Sequence, residues 1–406
     1  MIKSNHNWRA LYAQNRAAIA AAGVPLNAMT LPAIPHAALP GLGETHTHAG
    51  VVPGAAGSLV PPAAAGSLVP PGAAGSLVPA AAPRSLVPAG RGSLDKPRHH
   101  HGGIRDRRHR GDREADRPLV HVPRGLDPSV PAPMVVMLHG CTQDPSSFAA
   151  ATAMNDTADR HGFVVMYPGQ PRGRNPQGCW NWFAAEHQQL GVGEPELIAG
   201  MARALLTEES RQTVDRRRMF VAGLSSGGAM ALILAVCYPD LFAAVAVHSG
   251  LPYRAADNLG TAYAAMGGAI NTPGADGEAI HAAMGQHVRP VPGLVIHGMA
   301  DRTVAPQNSR HILGQLMHAN HLAAPSCAHD PARPTASQRG RVAGGLSYTH
   351  NRWTDADGTL MHASIDIDGL GHAWSGGVAG GSYTDPRGPS ASESIWAFFA
   401  EAARAA

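Results

Sequence analysis

The sequence predicts an α/β domain with a mostly parallel sheet covered by helices on both faces, preceded by a long disordered segment. Three observations carry that expectation. From Met134 onward, short apolar runs alternate with helix-like stretches, the pattern of strands joined by helical crossovers. The run Met219-Phe220-Val221-Ala222-Gly223-Leu224-Ser225-Ser226-Gly227-Gly228 reads as a buried strand entering Gly-x-Ser-x-Gly, and a small-residue helix follows over 229–238. That context turns a common pentapeptide into a nucleophile elbow, a sharp turn that lifts the serine clear of the sheet. Upstream of residue 118 the composition collapses to Ala, Pro, Gly and Arg, which divides the 406 residues into 1–117 and 118–406.

The first segment carries a unit close to Gly-Ser-Leu-Val-Pro at nine-residue spacing, starting at Gly57, Gly66, Gly75 and Arg84. A proline after only two apolar residues removes a ladder donor and favours polyproline geometry. The repeats therefore predict a semi-extended linker rather than a stacked solenoid. The Arg/His-rich run over 99–117 reads as a solvated linker, and no nucleic-acid partner is expected of it. The net charge of +3 is too small to suggest one elsewhere. No stretch reaches the eighteen or so apolar residues of a membrane span. Arg9, Gln14, Asn15 and Arg16 interrupt the place where a secretory signal would need an apolar core, so residence in the cytoplasm is the simplest expectation. Four cysteines (Cys141, Cys179, Cys237, Cys327) are too few for a disulfide scaffold. With no ligand-spaced cluster, phosphate loop or dinucleotide fingerprint, neither a metal nor a cofactor is expected.

In the second segment, 118–123 resembles part of a strand, and 134–138 is a short apolar strand. A helix over 145–160 stops before Gly162, and 163–167 is the next strand. The Gly/Pro-rich loop over 168–193 is long enough to suggest function. Pro195 suits the first turn of a helix reaching about residue 210. After the elbow come strands at 242–247 and 294–297, then a helix over 307–319. Strands at 347–353 and 360–367 join through Asp357-Gly358, a hairpin turn. Ser390-Ala391-Ser392-Glu393 predicts a capping box that opens the last helix.

A serine hydroxyl needs a histidine to take its proton, and the histidine needs a carboxylate to hold its tautomer. In an α/β-hydrolase the chain order is serine, acid, histidine, each after a strand. Ser225 is the candidate nucleophile. Asp301, just beyond strand 294–297, fits the acid better than Asp240, which sits in a helix-terminating turn, or than Asp366 and Asp368 at a strand end. His372, in Gly369-Leu370-Gly371-His372 after the last strand, fits the base. His248 and His297 also end strands but lie at the wrong place in the order, so they read as packing or hydrogen-bonding residues. The oxyanion donors should be the N–H of Ser226 and one from the loop Leu138-His139-Gly140-Cys141, with that of Cys141 favoured. His139 reads as a hydrogen-bonding post for that loop. Trp182 and Trp374, in loops near these groups, are expected to wall an acyl pocket.

The set LHGCTQ (138–143), YPGQ (167–170), GCWNWF (178–183), GLSSGGAM (223–230), HGMADRTV (297–304) and GLGHAWSGG (369–377) resembles the poly(3-hydroxybutyrate) depolymerase family of esterases, which shades into feruloyl and acetyl-xylan esterases. The resemblance covers residues 118–403. It implies an α/β-hydrolase fold, with Ser225, Asp301 and His372 as triad and Cys141 in the oxyanion loop. It also puts Cys141 and Cys179 in loops near the oxyanion hole, close enough to pair; two reduced, unrelated thiols are the alternative in a cytoplasmic setting. The implied substrate is a hydroxyalkanoate polyester or its oligomers, with aryl or acetyl esters of plant polysaccharide as the alternative. A granule-associated protein with a vestigial hydrolase domain is the non-enzymatic alternative. Many members of the family are extracellular, which stands against the cytoplasmic expectation.

Overall fold

The structure, a computed structural model, describes residues 93–95, 117–206, 213–270 and 276–403, all within one unit of the chain. The Gly57, Gly66, Gly75 and Arg84 repeat starts, and the Arg/His run up to residue 116, lie outside the described residues. In chain order the elements are β1 (Ser93–Asp95), β2 (Leu119–Val122), β3 (Ala132–Leu138), α1 (Pro145–Thr152), α2 (Met154–His161), β4 (Val164–Tyr167), α3 (Gly193–Ala204), β5 (Val214–Leu224), α4 (Ser226–Cys237) and β6 (Ala244–His248). There follow α5 (Leu259–Met266), α6 (Gly277–Ala283), β7 (Gly293–Gly298), α7 (Gln307–Ala323), β8 (Ala336–Arg341), β9 (Ser347–Thr354), β10 (Leu360–Ile367), β11 (Trp374–Ser375), β12 (Thr384–Asp385) and α8 (Ala391–Ala402).

One ten-stranded sheet runs in the order β1-β2-β4-β3-β5-β6-β7-β10-β9-β8. The six central strands from β4 to β10 are mutually parallel, and antiparallel pairs close both edges. The alternation of side chains along β3 shows why helices are needed on both faces. Met134, Val136 and Leu138 point into one core with Ile198 of α3, Leu232 of α4 and Leu316 of α7. Val135 and Met137 point into the other with Phe148 of α1, Ala158 of α2 and Phe399 of α8. All seven residues of β3 are buried, as a doubly covered strand requires.

Several expectations need correction. The helix over 145–160 breaks at Ala153, whose φ of +56° ends α1 and starts α2; no residue there announces a left-handed position. Of the segment below residue 117, the structure describes three residues. Ser93–Asp95 pairs antiparallel with β2, so the sheet's first edge lies inside the stretch expected to be a linker. The last helix is capped by Ser390, whose hydroxyl accepts from the N–H of Glu393. The Glu393 carboxylate does not complete the box by reaching back. It turns to α2 and pairs with Arg160, Thr157 and His161, fastening α8 to the sheet's flank. Strand β8 and helices α5 and α6 fall outside the expected elements: β8 is almost wholly exposed and carries no apolar alternation.

Candidate active site

The end of β5 delivers Ser225 at φ +59° and ψ −121°, a conformation that L-residues adopt only under constraint. Two contacts impose it. The Ser225 N–H donates to the carbonyl of His248 at the end of β6, at 2.9 Å. On either side, Gly223 and Gly227 allow backbone to approach backbone. A Cβ on Gly223 would fall 2.2 Å from the Gly227 carbonyl oxygen, and one on Gly227 would fall 2.2 Å from that of Leu138. Ser226 is the first residue of α4, so its N–H has no intrahelical acceptor and belongs to the positive end of the helix dipole.

The loop after β3 packs against this elbow. His139 is buried between backbone partners: Nδ1–H donates to the Gly140 carbonyl at 2.9 Å, and Nε2 accepts the N–H of Gln170 at 3.2 Å. An imidazole so engaged is neutral, and burial pushes its pKa down. It is thus the post of its loop. Cys141 follows and is joined to Cys179 by a disulfide, which ties this loop to the long 168–193 loop. Underneath lies the buried carboxylate of Glu194, which accepts from Gln170 Nε2, Asn181 N–H and Asn181 Nδ2. Gln170 Nε2 also donates to the Cys179 carbonyl at 3.0 Å. Nothing in the sequence singles out Glu194, because its partners lie on loops whose paths no periodicity reveals.

Asp301 and His372 meet after β7 and β10. His372 Nδ1–H donates to Asp301 Oδ2 at 2.7 Å, which leaves Nε2 as the basic nitrogen. The other carboxylate oxygen accepts the N–H groups of Thr303 and Val304, both at 2.9 Å. His297, fully buried, places Nε2 3.5 Å from Asp301 Oδ2 and 3.0 Å from the Val304 carbonyl. Burial alone would raise the Asp301 carboxyl, but the His297 and His372 hydrogen bonds outweigh it and hold the group well below the usual carboxylate range. His372 and Ser225 line one small recess together with Gly140 and Gln143. The arrangement puts a serine hydroxyl in the same recess as an imidazole anchored by a carboxylate.

A cleft of about 330 Å³ opens from Ser225 and Ser226 on the other side, walled by Trp182, Phe183, Leu251, Tyr263 and Met266, with Cys141 and Cys179 at its rim. Trp182 thus stands where the sequence suggests. Trp374 does not. It is fully buried, edge-on to Phe148 and stacked on His248 with ring centroids 5.1 Å apart, and it takes no part in the cleft. Its short strand β11 turns the ring down onto the sheet face under α8, into the core. The cleft's far wall comes from α5, an element that the sequence pattern does not reveal. Among the described residues, no group of three His, Cys, Asp or Glu side chains is placed to hold a metal ion, and no helix is long and apolar enough to cross a membrane.

A parallel sheet with a serine elbow after β5, a carboxylate after β7 and a histidine after β10 defines the α/β-hydrolase class. The acetyl xylan esterase from Aspergillus awamori shares the fold, with a TM-score of 0.52 at 23% identity, over 70% of this chain and 93% of that one. Residues 121–336 match the family described as Esterase PHB depolymerase, and the chain belongs to that family. It is similar to poly(3-hydroxyalkanoate) depolymerase C of Paucimonas lemoignei, 33% identical over 62% of this chain and 57% of the relative. It is also similar to a probable acetylxylan esterase A of Aspergillus fumigatus, 31% identical over 47% of this chain and 51% of the relative. The chain spans about half the length of these curated relatives.

Proposed function

We propose that this chain is a serine carboxylesterase that hydrolyses hydroxyalkanoate polyester or its oligomers through an acyl-enzyme. One observation carries the reading: Ser225, strained on its elbow, shares a recess with His372, itself fixed by Asp301, and opens onto an apolar cleft. In the proposed mechanism the Ser225 hydroxyl attacks the ester carbonyl while His372 takes its proton. The N–H groups of Cys141 and Ser226 stabilise the oxyanion. His372 then protonates the departing alkoxide, and a water activated by the same imidazole releases the acyl group.

The cleft bears on the substrate. Its volume of about 330 Å³ is of the size that small-molecule sites have. An acetyl group has three heavy atoms and would leave most of that space empty, whereas a 3-hydroxybutyryl unit has six. Its walls are largely apolar, which suits neutral acyl chains. The polyester depolymerase among the relatives supports the same reading; the acetylxylan esterase relative keeps the polysaccharide-ester alternative in the test. The Cys141–Cys179 disulfide supports an extracellular or otherwise oxidising setting over the cytoplasmic one.

The test is titration of acid release from amorphous polyester granules, beside feruloyl esters, acetylated xylan and short-chain nitrophenyl esters. Faster turnover of granules or hydroxybutyrate oligomers than of the polysaccharide esters is the expected result. Preference for feruloyl or acetyl esters would install the alternative, and no hydrolysis of any ester would leave the vestigial reading.

A further inference from the structure

Among the described residues, Ser225 borders a large hollow and a small one, and the small one takes in His372. The apolar cleft touches Ser225, Ser226 and Cys141 but not the imidazole. The second, lined by Gly140, Gln143, Leu224, His372 and Tyr383, encloses only about 10 Å³, about the least that holds one water. In acyl transfer the departing alkoxide takes its proton from the imidazole, so the alcohol half of the ester must lie on the His372 side. The acyl half is then left with the large cleft.

We propose that Tyr383 is a specificity-determining residue that admits slim alcohol halves and turns away bulky ones. The inference rests on the esterase reading above and adds what sets its alcohol preference. The ring of Tyr383 stands edge-on to His372, with centroids 6.4 Å apart. Its backbone is held at φ +51°, a left-handed value costly for an aromatic residue and therefore imposed by its surroundings. Those surroundings are specific. The Trp374 N–H donates to the Tyr383 carbonyl at 2.7 Å, where β11 pairs with β12. Gln143 Nε2 donates to the Ser382 carbonyl at 2.9 Å, and the Thr142 hydroxyl donates to the Tyr383 hydroxyl at 3.3 Å. The glycine-rich turn preceding it is pinned by Thr384 Oγ1, which donates to the Val378 carbonyl at 2.7 Å. A strained, half-buried aromatic fastened to the oxyanion loop at two points is a rigid wall. A 3-hydroxyacyl chain, whose branch at the carbinol carbon is a single methyl, can pass beside it, but a ring meets it at once.

The experiment compares ethyl butyrate with cyclohexyl butyrate, which share an acyl group and differ in the alcohol, a two-carbon primary chain against a six-membered secondary ring. Tyr383→Gly and Tyr383→Asn are both suited to the left-handed backbone. In each, the ratio of kcat/KM for cyclohexyl over ethyl butyrate should rise by about tenfold or more, the discrimination that one pocket contact carries. Tyr383→Phe, which keeps the ring, should stay within about twofold of the original ratio, and so should the acyl-chain profile from ethyl acetate to ethyl octanoate. An unchanged alcohol ratio in both small variants, or an acyl profile that shifts as much as the alcohol ratio, overturns the inference. Ser225→Ala separates the two readings. If it still hydrolyses ethyl butyrate, the reading of Ser225 as the nucleophile of an acyl-enzyme fails. If it is inactive while the Tyr383 variants keep the original alcohol ratio, only the role of Tyr383 is lost.

Discussion

His248 Nε2 accepts the backbone N–H of Ser375 at 3.1 Å, three residues beyond His372. Through its own carbonyl, the same residue accepts the N–H of Ser225. One buried histidine, by its backbone on one side and its ring on the other, therefore ties the strand that carries the serine to the loop that carries His372. It can do so only while neutral, because a protonated nitrogen cannot accept; burial pushes its pKa down to about 3.

Ser225→Ala should remove turnover by about 10⁴–10⁶-fold, the scale at which triad members act as one unit. Asp301→Asn and His372→Ala should each fall far below the parent, and combining them should add little. Steady-state kcat on a soluble ester measures this, and more than about a tenth of parental activity in Ser225→Ala would discard the assignment.

The protein should lose stability in mild acid, before its carboxylates titrate. His248 and His362 both sit at about pKa 3 in the fold, the latter because burial disfavours its charged form while Nε2 accepts from Asn320. Unfolded histidine binds its proton near pH 6.5, so between that pH and 3 the unfolded state holds more protons and stability falls as pH falls. The slope approaches about 1.4 kcal/mol per pH unit for each histidine. Asp301 acts in the same direction but later. Its depressed pKa contributes stability that is whole above about pH 4 and is lost below it. Urea unfolding at pH 7.5 and 5.0 reads the first window, and His362→Leu should flatten the slope.

Trp374 and Trp182 should separate in their effects. Trp374→Ala opens a cavity beneath α8 and should cost about 3–5 kcal/mol in urea unfolding. Trp182→Leu should act mainly on KM for longer acyl chains, through the cleft wall. A Trp374→Ala protein with unaltered stability and a shifted chain-length preference would return that residue to the pocket.

Reduction of Cys141–Cys179, or Cys179→Ala, frees a 38-residue loop and should lower stability by about 2–4 kcal/mol. Turnover should fall as well, because the loop carrying the Cys141 N–H loses its tie to the cleft rim. Melting with and without reductant, and the mass of the non-reduced peptide pair, test both parts.

The place of the domain boundary can be probed by two truncations. Deleting residues 1–88 should leave soluble-ester activity within a few-fold of the parent, since what remains still includes Ser93–Asp95. Deleting 1–110 takes that strand away and leaves β2 as a bare edge, so this shorter protein should melt earlier. Equal melting of the two would show that the edge strand contributes nothing.

The parts of the fold that are legible in the sequence share one property: their signal is local. β3, β5 and β7 contain continuous apolar runs because both faces are covered, and Gly223 and Gly227 advertise a close approach within five residues. Asp301 and His372 can be found because strand order dictates where they fall. What escapes depends on partners far away in the chain. A loop tryptophan beside a histidine reads as a pocket wall, yet nothing near Trp374 reveals which way a two-residue strand will turn it. Glu393 poses the same difficulty: it sits in capping spacing but finds Arg160 and His161 more than two hundred residues upstream.

Helix α4 is buried along all twelve of its residues, from Ser226 to Cys237. A helix with no wet side cannot fray or lift away while the rest of the molecule stays intact. Because the elbow serine is its N-cap, Ser225 should have no melting transition of its own. On heating, the last activity and the last tertiary structure should vanish as a single event, so a simple activity assay doubles as a gauge of global unfolding.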